Sequence, residues 1–266
     1  MTASIFDRAK DCISISDPIE KCRLTHQLAD DWNNQDLILD GSDDVVPIGK
    51  PGRPQKPRLV HPRDVSKRSV HTVNGRIILA HALAHIEFNA INLALDAVYR
   101  FRGLPVDYYT DWIKVADEEA RHFGLLNTYL TDRGCQYGDY DAHNGLWEMA
   151  VKTADDALVR MALVPRVLEA RGLDVTPGLI AKLTAAGDDD FVERLKVIHR
   201  DEIGHVAIGS RWCRYLCEQR CLDSRETFTQ LLNEYMEGPL KGPFDDVVRI
   251  QAGFTEQELS DLRAKQ

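Results

Sequence analysis

Apolar residues recur at every third or fourth position through most of the chain, with polar residues between them. This period places one apolar stripe along an α-helix. Four long stretches of this kind predict helices over residues 69–102, 105–133, 144–171 and 188–220. The first three end in Arg followed by Gly, which supply a cation for the helix C-terminus and a left-handed cap. No useful strand alternation is present, so the sequence predicts an all-α protein with a four-helix core.

Shorter helices are expected on both sides of this core. Residues 1–40 predict one or two of them, with Ser16-Asp17-Pro18 as a helix start. A short helix over residues 177–186 is expected to join the third and fourth long helices. Two amphipathic stretches, 224–236 and 255–264, predict helices that close the chain.

Residues 41–68 differ from the rest because prolines and basic residues dominate them. The prolines, spaced three to five residues apart from Pro47 to Pro62, exclude a regular helix. Leu59 and Val65 offer apolar anchors, so we expect an extended strap that pairs with acidic faces of the bundle. The alternative is a surface for phosphate-bearing substrates such as RNA. The strap has no aromatic residue between Lys50 and Arg68 on which bases could stack, so RNA is not expected as a partner.

The predicted organisation is one globular unit with three parts. Residues 1–68 form the N-terminal helices and the strap, residues 69–221 the four-helix bundle, and residues 222–266 the C-terminal helices.

Composition and charge narrow the class of protein. An apolar content of 44% and a charged content of 28% are those of a soluble globular protein. The net charge of −9 argues against general nucleic-acid binding. No run approaches the roughly 20 apolar residues of a membrane helix, and the first residues lack a signal-peptide pattern. We therefore expect a cytoplasmic protein with no membrane partner.

The chain has six cysteines, and three of them, Cys213, Cys217 and Cys221, recur every fourth residue. This spacing places them on one helix face, where a packed apolar stripe is the favoured interpretation. A thiolate metal site is the alternative, although the spacing spreads the sulfur atoms along about 12 Å of helix axis.

The motif Glu-x-x-His occurs twice, as Glu119 to His122 and as Glu202 to His205. Residues three apart are neighbours on a helix, so each motif aims a carboxylate and an imidazole at one point. An acid precedes each Glu: Glu118 in the first motif and Asp201 in the second. Each acid lies four residues before its His, where it can accept the proton of the ring nitrogen that does not bind metal.

The spacing of further acids extends the repeat. Glu87 lies 32 residues before Glu119, and Glu169 lies 33 residues before Glu202. A Glu from each of two helices and Glu-x-x-His from two others is the ligand set of dinuclear carboxylate bundles. Glu87, Glu119 and Glu202 fall on apolar stripes, where converging carboxylates need cations between them. Solvated or Arg-paired carboxylates are the alternative interpretation.

Other candidate ligands remain open. Pro165 should loosen the helix around Glu169, and Glu148 is the alternative ligand on the same helix. His81 and His85 have the i, i+4 spacing of metal ligands. They lie on a different face of the helix from Glu87, so a structural or supporting role is favoured. His199 is a further candidate.

With these residues identified, the chain resembles the ferritin-like di-iron superfamily. His81-Ala-Leu-Ala-His85-Ile-Glu87, Ala116-Asp-Glu-Glu-Ala-Arg-His122, Pro165-Arg-Val-Leu-Glu-Ala-Arg-Gly172 and His199-Arg-Asp-Glu-Ile-Gly-His205 resemble a bacterial family catalogued only as ferritin-like and of unknown function. The resemblance covers residues 45–221 and implies a ferritin-like four-helix bundle with a dinuclear metal site. Rubrerythrins, fatty-acyl desaturases, ribonucleotide reductase small subunits and a tRNA hydroxylase are more distant relatives that share only the ligand set.

The expected function is O₂-dependent oxidation or hydroxylation of a small molecule at two iron ions, with manganese as the alternative metal. Glu119 and Glu202 are the expected bridging and catalytic carboxylates, and Glu87, His122, Glu169 and His205 complete the metal ligands. A ferroxidase or non-catalytic iron-binding protein is the second hypothesis, and a tRNA-hydroxylase-like enzyme is the third. The substrate, the electron donor and the oligomeric state, for which a homodimer is one candidate, do not follow from the sequence.

Overall fold

The computed structural model describes residues 3–40, 44–66, 68–236, 238, 240 and 242–265. Within these residues the long elements are helices, so the all-α prediction is confirmed. The helices are α1 (Ile5–Ser14), α2 (Pro18–Asn33), α3 (Val73–Arg100), α4 (Val106–Thr131), α5 (Gly145–Lys152), α6 (Ala157–Leu163), α7 (Ala170–Ala185), α8 (Asp189–Gln219), α9 (Ser224–Tyr235), α10 (Asp246–Gln251) and α11 (Glu256–Ala264). A 3₁₀ turn covers Pro62–Asp64, and a π-helical segment covers Val164–Glu169.

Two short strands were not expected from the sequence. β1 (Ala3–Ser4) pairs in parallel with β2 (Leu37–Ile38). Each strand has only two residues, which is too short to show an alternating pattern.

Backbone contacts divide the chain into two compact units, Met1–Val151 and Lys152–Gln266. The boundary falls at the end of α5, inside the stretch that the sequence predicts as the third long helix. The three-part division at residues 68 and 221 stays a prediction.

Unit 1 (Met1–Val151) is organised around α3, whose residues are mostly buried. The helix starts where the Thr72 side chain accepts a hydrogen bond from Gly75 N, and α4 packs along it. Gly103 and Gly134 follow α3 and α4 with φ values of +71° and +69°, so both predicted helix stops are confirmed. α1 packs on α3 and α2 packs on α4, which closes the core of this unit.

The length and composition of α3 would allow it to cross a membrane, which corrects the expectation that no stretch of the chain approaches this limit. Its most apolar 18-residue window has a mean hydropathy of 1.4. However, 72% of that window is buried inside the protein. Such burial is typical of the core helix of a soluble protein.

The strap predicted from the proline spacing lies within unit 1 and is tied to it at several points. Val60 N donates to Ala142 O over 2.8 Å, and Trp147 Nε1 donates to Gly49 O over 3.1 Å. Arg58 forms an ion pair of 2.6 Å with Asp141. Apart from the 3₁₀ turn, the described residues of the strap form no helix, as expected. Asp43 and Lys67 lie outside the described residues.

The prediction of one long third helix, which would lead into unit 2 (Lys152–Gln266), is wrong. In place of one helix over 144–171, the chain forms α5, a break, α6, the π-helical segment and α7. Gly172 was expected to end a helix but lies inside α7, which also contains the short helix predicted over 177–186. The helix passes through Gly172 because a glycine favours a helix end only where tertiary contacts do not hold the helical conformation.

The π-helical segment packs closely on α8 of the same unit. A Cβ atom built on Gly209 would lie 2.2 Å from Cγ and 2.4 Å from Cβ of Pro165. Only glycine at residue 209 allows this approach. The remaining predicted helices of unit 2 are confirmed as α8, α9 and α11, whereas α10 was not predicted because its six residues hold less than two turns of pattern.

Candidate metal centre

Three candidate ligands lie together in unit 1. Glu87 projects from α3, and Glu119 and His122 project from α4. Glu87 is 5% exposed, and Glu119 and His122 are fully buried. One ligand atom of each residue lies within 4.8 Å of those of the other two. His122 Nδ1 lies 3.3 Å from Glu119 Oε2 and 3.7 Å from Glu87 Oε2.

The electrostatics of this group fit a cation. Burial, and then the neighbouring Glu119 carboxylate, raise the pKa of Glu87 well above its usual range. Burial alone would lower the pKa of His122, but its hydrogen bonds to Glu119 and Glu87 outweigh burial and raise that pKa to about 11. Without a metal, protons must therefore compensate the two buried carboxylates. A divalent cation can replace those protons, since oxygen and imidazole donors at this spacing suit iron, manganese or zinc.

The second motif forms a similar pair in unit 2. Glu202 and His205 project from α8, and His205 Nδ1 lies 3.7 Å from Glu202 Oε1. His205 is fully buried, and the Glu202 side chain is 14% exposed. Each unit thus contains a Glu-x-x-His motif whose carboxylate and imidazole lie side by side, as predicted from their spacing. These buried Glu and His groups can bind metal ions.

Glu169 is the last residue of the π-helical segment and is half-buried. The expectation that Pro165 would distort this helix is confirmed, since a π-helical turn replaces the α-helix there. π-Helical turns inside α-helices occur frequently at functional sites. The alternative ligand Glu148 is exposed on α5, ahead of the break, so burial favours Glu169.

The two acids that precede the motifs are partly withdrawn from solvent. The Glu118 side chain is 21% exposed and lies 3.9 Å from Lys114 Nζ. The Asp201 side chain is 9% exposed and accepts a hydrogen bond of 3.1 Å from Arg200 Nε. Their support of His122 and His205 stays a prediction.

The histidines of the i, i+4 pair on α3 have structural hydrogen bonds. His81 Nε2 accepts a hydrogen bond of 2.8 Å from Gly138 N. His85 Nδ1 lies 2.8 Å from the Tyr137 hydroxyl, and His85 Nε2 lies 3.1 Å from His143 O. Burial lowers the pKa of both histidines to about 4, so both are neutral at pH 7. These contacts support the structural role favoured from the sequence.

His199 lies on α8, three residues before Glu202, and is half-buried. Burial lowers its pKa from the ordinary range, and no described residue forms a hydrogen bond with its Nδ1.

The cysteine stripe is confirmed at two of its three positions. Cys213 and Cys217 are buried on α8, as expected for packed side chains. Cys221 lies beyond the end of α8, has a φ of +54° and is exposed, so it does not belong to the stripe. All six cysteines are free thiols.

Sequence reasoning missed a buried polar cluster beside these cysteines. Arg166 Nη2 pairs with Glu258 Oε1 at 2.5 Å, and Arg166 Nη1 lies 3.8 Å from Cys213 Sγ. A hydrogen bond from the Cys217 thiol, opposed by burial and aided by the Arg166 charge, lowers the pKa of Cys213 to about 7. Arg166 and Glu258 are separated by 92 residues, so their pairing has no local signal.

The chain matches, over residues 14–260, the family described as protein of unknown function (DUF455). It belongs to that family. A curated relative, an uncharacterized protein of Haemophilus influenzae, is 47% identical over 272 residues, which cover 97% of this chain and 94% of that protein. No solved structure matches this chain. The residues that match the family include all six candidate ligands, in both units.

Proposed function

We propose that this family member is a dinuclear metal enzyme, with iron as the metal, that oxidises or hydroxylates a small molecule at the expense of O₂. The observation that carries the proposal is the buried group of Glu87, Glu119 and His122, whose ligand atoms lie within 4.8 Å of one another. Two carboxylates buried this closely are costly unless a cation or protons balance them. A structural role alone would be served as well by apolar side chains.

The repeated motif supports a second metal ion. Unit 2 supplies Glu202 and His205 in the same relation on α8, and Glu169 corresponds in spacing to Glu87. We propose that the two sets of ligands together hold two metal ions, as the ligand set of carboxylate bundles does. Glu119 and Glu202 would be the carboxylates most directly involved in the chemistry, and Glu87, His122, Glu169 and His205 would complete the ligands.

The burial of the first set favours chemistry away from water. Glu87 is 5% exposed and Glu119 is fully buried, so little water reaches these carboxylates. Bound iron would supply the electrons that reduce O₂, while the protein would fix the ligands and keep positions open for reactants.

Oxygen uptake tests the proposal. Protein purified without added metal is analysed for bound metal, then loaded with Fe(II) without oxygen and exposed to O₂. We expect rapid O₂ consumption by the wild type and its loss in Glu119→Ala. Glu148→Ala, an exposed carboxylate on α5, is the matched control and should behave as wild type.

The products separate oxidase from iron handling. An enzyme consumes O₂ repeatedly when reductant is supplied and forms an oxidised product in extracts of metabolites. Uptake that stops once the loaded Fe(II) is oxidised would indicate a ferroxidase instead. Wild type that binds no metal would refute both functions.

A further inference from the structure

Unit 2 contains a cavity that none of the candidate metal ligands lines. Its volume is about 240 Å³. Most of its wall is apolar and comes from the π-helical segment, the segment after α9, and α11, with Val167, Leu240, Phe244 and Leu262 among the lining residues. An apolar cavity with a few polar groups is the usual form of a small-molecule site.

The polar groups of this cavity all carry positive charge. Among the described lining residues, the charged ones are Arg166, Arg171 and Arg249, and none is an acid. Two acids behind the wall pair with them: Glu258 with Arg166, and Asp174 with Arg249. Three arginines and two acids leave one net positive charge in this group of five.

Arg249 is the arginine that can accept a ligand. It is 3% exposed, and its Nε and Nη2 atoms each donate to the Asp174 carboxylate over 2.8 Å. Nη2 also lies 3.5 Å from Ala170 O. Nη1 forms no hydrogen bond with any described residue. The pair with Asp174 thus holds the guanidinium rigidly while a donor of Nη1 stays available, which preorganises it for an anion.

The other two arginines frame the same cavity. Arg166 is 1% exposed, stacks on Phe228 and Phe254, and forms no hydrogen bond through Nε with a described residue. The Arg171 side chain is 41% exposed and donates to the carbonyl oxygens of Gly242 and Pro243. The cavity therefore combines an apolar wall with the buried positive charge of Arg166 and the partly exposed positive charge of Arg171.

We propose that this cavity, with a volume of about 240 Å³, binds a free monocarboxylate with an unbranched apolar chain of medium length. The carboxylate accepts a hydrogen bond from Arg249 Nη1, and the chain lies along Val167, Leu240, Phe244 and Leu262. This site goes beyond the proposed oxidation and does not depend on it, because it uses no metal ligand.

Calorimetric titration of octanoate into the purified wild-type protein tests this site, with octan-1-ol and acetate as comparison ligands. We expect one saturable site for octanoate, with a Kd at least ten-fold lower than that for either comparison ligand. Octanol lacks the carboxylate, and acetate lacks the chain. Octanol that binds as tightly as octanoate would show plain partition into an apolar space and overturn the proposal.

Two variants locate the binding. Leu240→Trp places an indole in the cavity and should abolish octanoate binding, whereas Leu222→Trp, an exposed position outside the cavity, should leave it unchanged. Arg249→Lys keeps a charge beside Asp174 but loses the planar fork, so we expect at least ten-fold weaker binding. Circular dichroism verifies that each variant is folded. Undiminished octanoate binding by folded Leu240→Trp would place the ligand elsewhere and refute the assignment.

Discussion

Pro165 in the π-helical segment lies so close to Gly209 on α8 that a Cβ atom at residue 209 would come within 2.2 Å of the proline ring. The two residues are 44 positions apart in sequence, yet each limits which side chain can occupy the position of the other. This close contact fixes the position of the π-helical segment on α8. The segment ends in Glu169, and α8 carries Glu202 and His205.

Gly209→Ala should destabilise unit 2 by about 1–3 kcal/mol, the usual cost of overpacking. Urea unfolding followed by circular dichroism measures the change. Pro165→Ala should not rescue the variant, because the Cβ atom of residue 165 would still lie 2.4 Å from the new methyl group. Pro165→Gly removes that atom and should restore part of the loss.

Gly178→Ala is the matched control for this experiment. Gly178 also lies in a helix of unit 2, but a Cβ atom there meets nothing within 4 Å. Alanine should therefore stabilise the protein by about 0.5–1 kcal/mol through its higher helix propensity. A Gly209→Ala variant as stable as Gly178→Ala would contradict the steric account.

Metal analysis of purified variants tests the ligands. We expect about two iron or manganese ions per chain in the wild type, the number of ions that the carboxylate-bundle ligand set holds. Glu202→Ala and His205→Ala should lose most of the metal, because each removes a donor that the site cannot replace. Glu148→Ala should keep the wild-type content. Retention of full metal content by both ligand variants would show that the assignment is wrong.

Asp201→Ala should weaken metal affinity or activity by about 10–100-fold while the fold is kept, as is usual when a carboxylate that orients a ligating histidine is lost. Competition with a chelator measures the affinity. Arg200→Ala is the control, because it removes one hydrogen-bond donor to Asp201 but leaves the carboxylate that would orient His205. Equal affinities of Asp201→Ala and wild type would exclude this role.

Lys21 gives a prediction about pH. It is fully buried, and its Nζ donates to Cys12 O, Ile13 O and Asn92 Oδ1 over 2.7–2.8 Å. Burial lowers the pKa of Lys21 from 10.5 to about 7. Above pH 7 the unfolded chain therefore binds the proton more strongly than the folded protein. The contribution of Lys21 to the free energy of unfolding should consequently rise as pH increases from 7 towards 10.5, and stay constant at its lowest value well below pH 7.

Urea unfolding of wild type and Lys21→Met at several pH values isolates this contribution. The comparison is made between about pH 7 and 8.5, below the ordinary pKa of a thiol. Burial raises the pKa of Cys12 to about 11 and that of Cys22 to about 12, so above this window the thiols ionise more readily in the unfolded chain than in the folded protein. Thiol ionisation at higher pH would change stability in the opposite direction. The difference in stability between wild type and variant should rise with pH in this window, and a constant difference would contradict the lowered pKa.

The strap gives a prediction about nucleic acid. Arg58 pairs with Asp141, and Arg53 donates to the carbonyl oxygens of Pro54 and Pro57, so both cations are engaged within unit 1. We expect no tight tRNA binding at low or physiological salt. The triple variant Arg53→Ala, Lys56→Ala, Arg58→Ala is compared with wild type at two salt concentrations. Tight wild-type binding that both salt and the triple variant abolish would instead favour an RNA-modifying enzyme.

The parts of the fold that the sequence predicted well are those governed by local periodicity. α3, α4 and α8 are long and amphipathic or apolar enough to be recognised from their pattern, and glycine marks the ends of α3 and α4. The relation of Glu119 to His122 and of Glu202 to His205 also follows from helix geometry alone. A period of 3.6 residues is sufficient for all of these.

The sequence indicated through Pro165 that the third predicted helix would be distorted, but not how it would be divided. The contact of Pro165 with Gly209 and the ion pair of Arg166 with Glu258 join residues distant in sequence, and neither has a local pattern. The cavity beside Arg249 was not predicted either, because its wall combines residues from 166 to 262 that are distant in sequence. Sequence reasoning found the two Glu-x-x-His motifs because they repeat, and it missed the Arg166 cluster and the cavity because these form only by packing.

The π-helical segment also bears on how the length of this chain can change during evolution. In an α-helix each residue turns the backbone by about 100°, whereas a π turn accommodates an additional residue within one turn. Deleting one residue from Val164–Glu169 would therefore let ordinary winding resume while α6 keeps its rotation relative to α7. The same face of α6 would then meet α8. A one-residue gap here in a relative would indicate a regular α-helix with the same buried face, but without the wide turn that ends in Glu169.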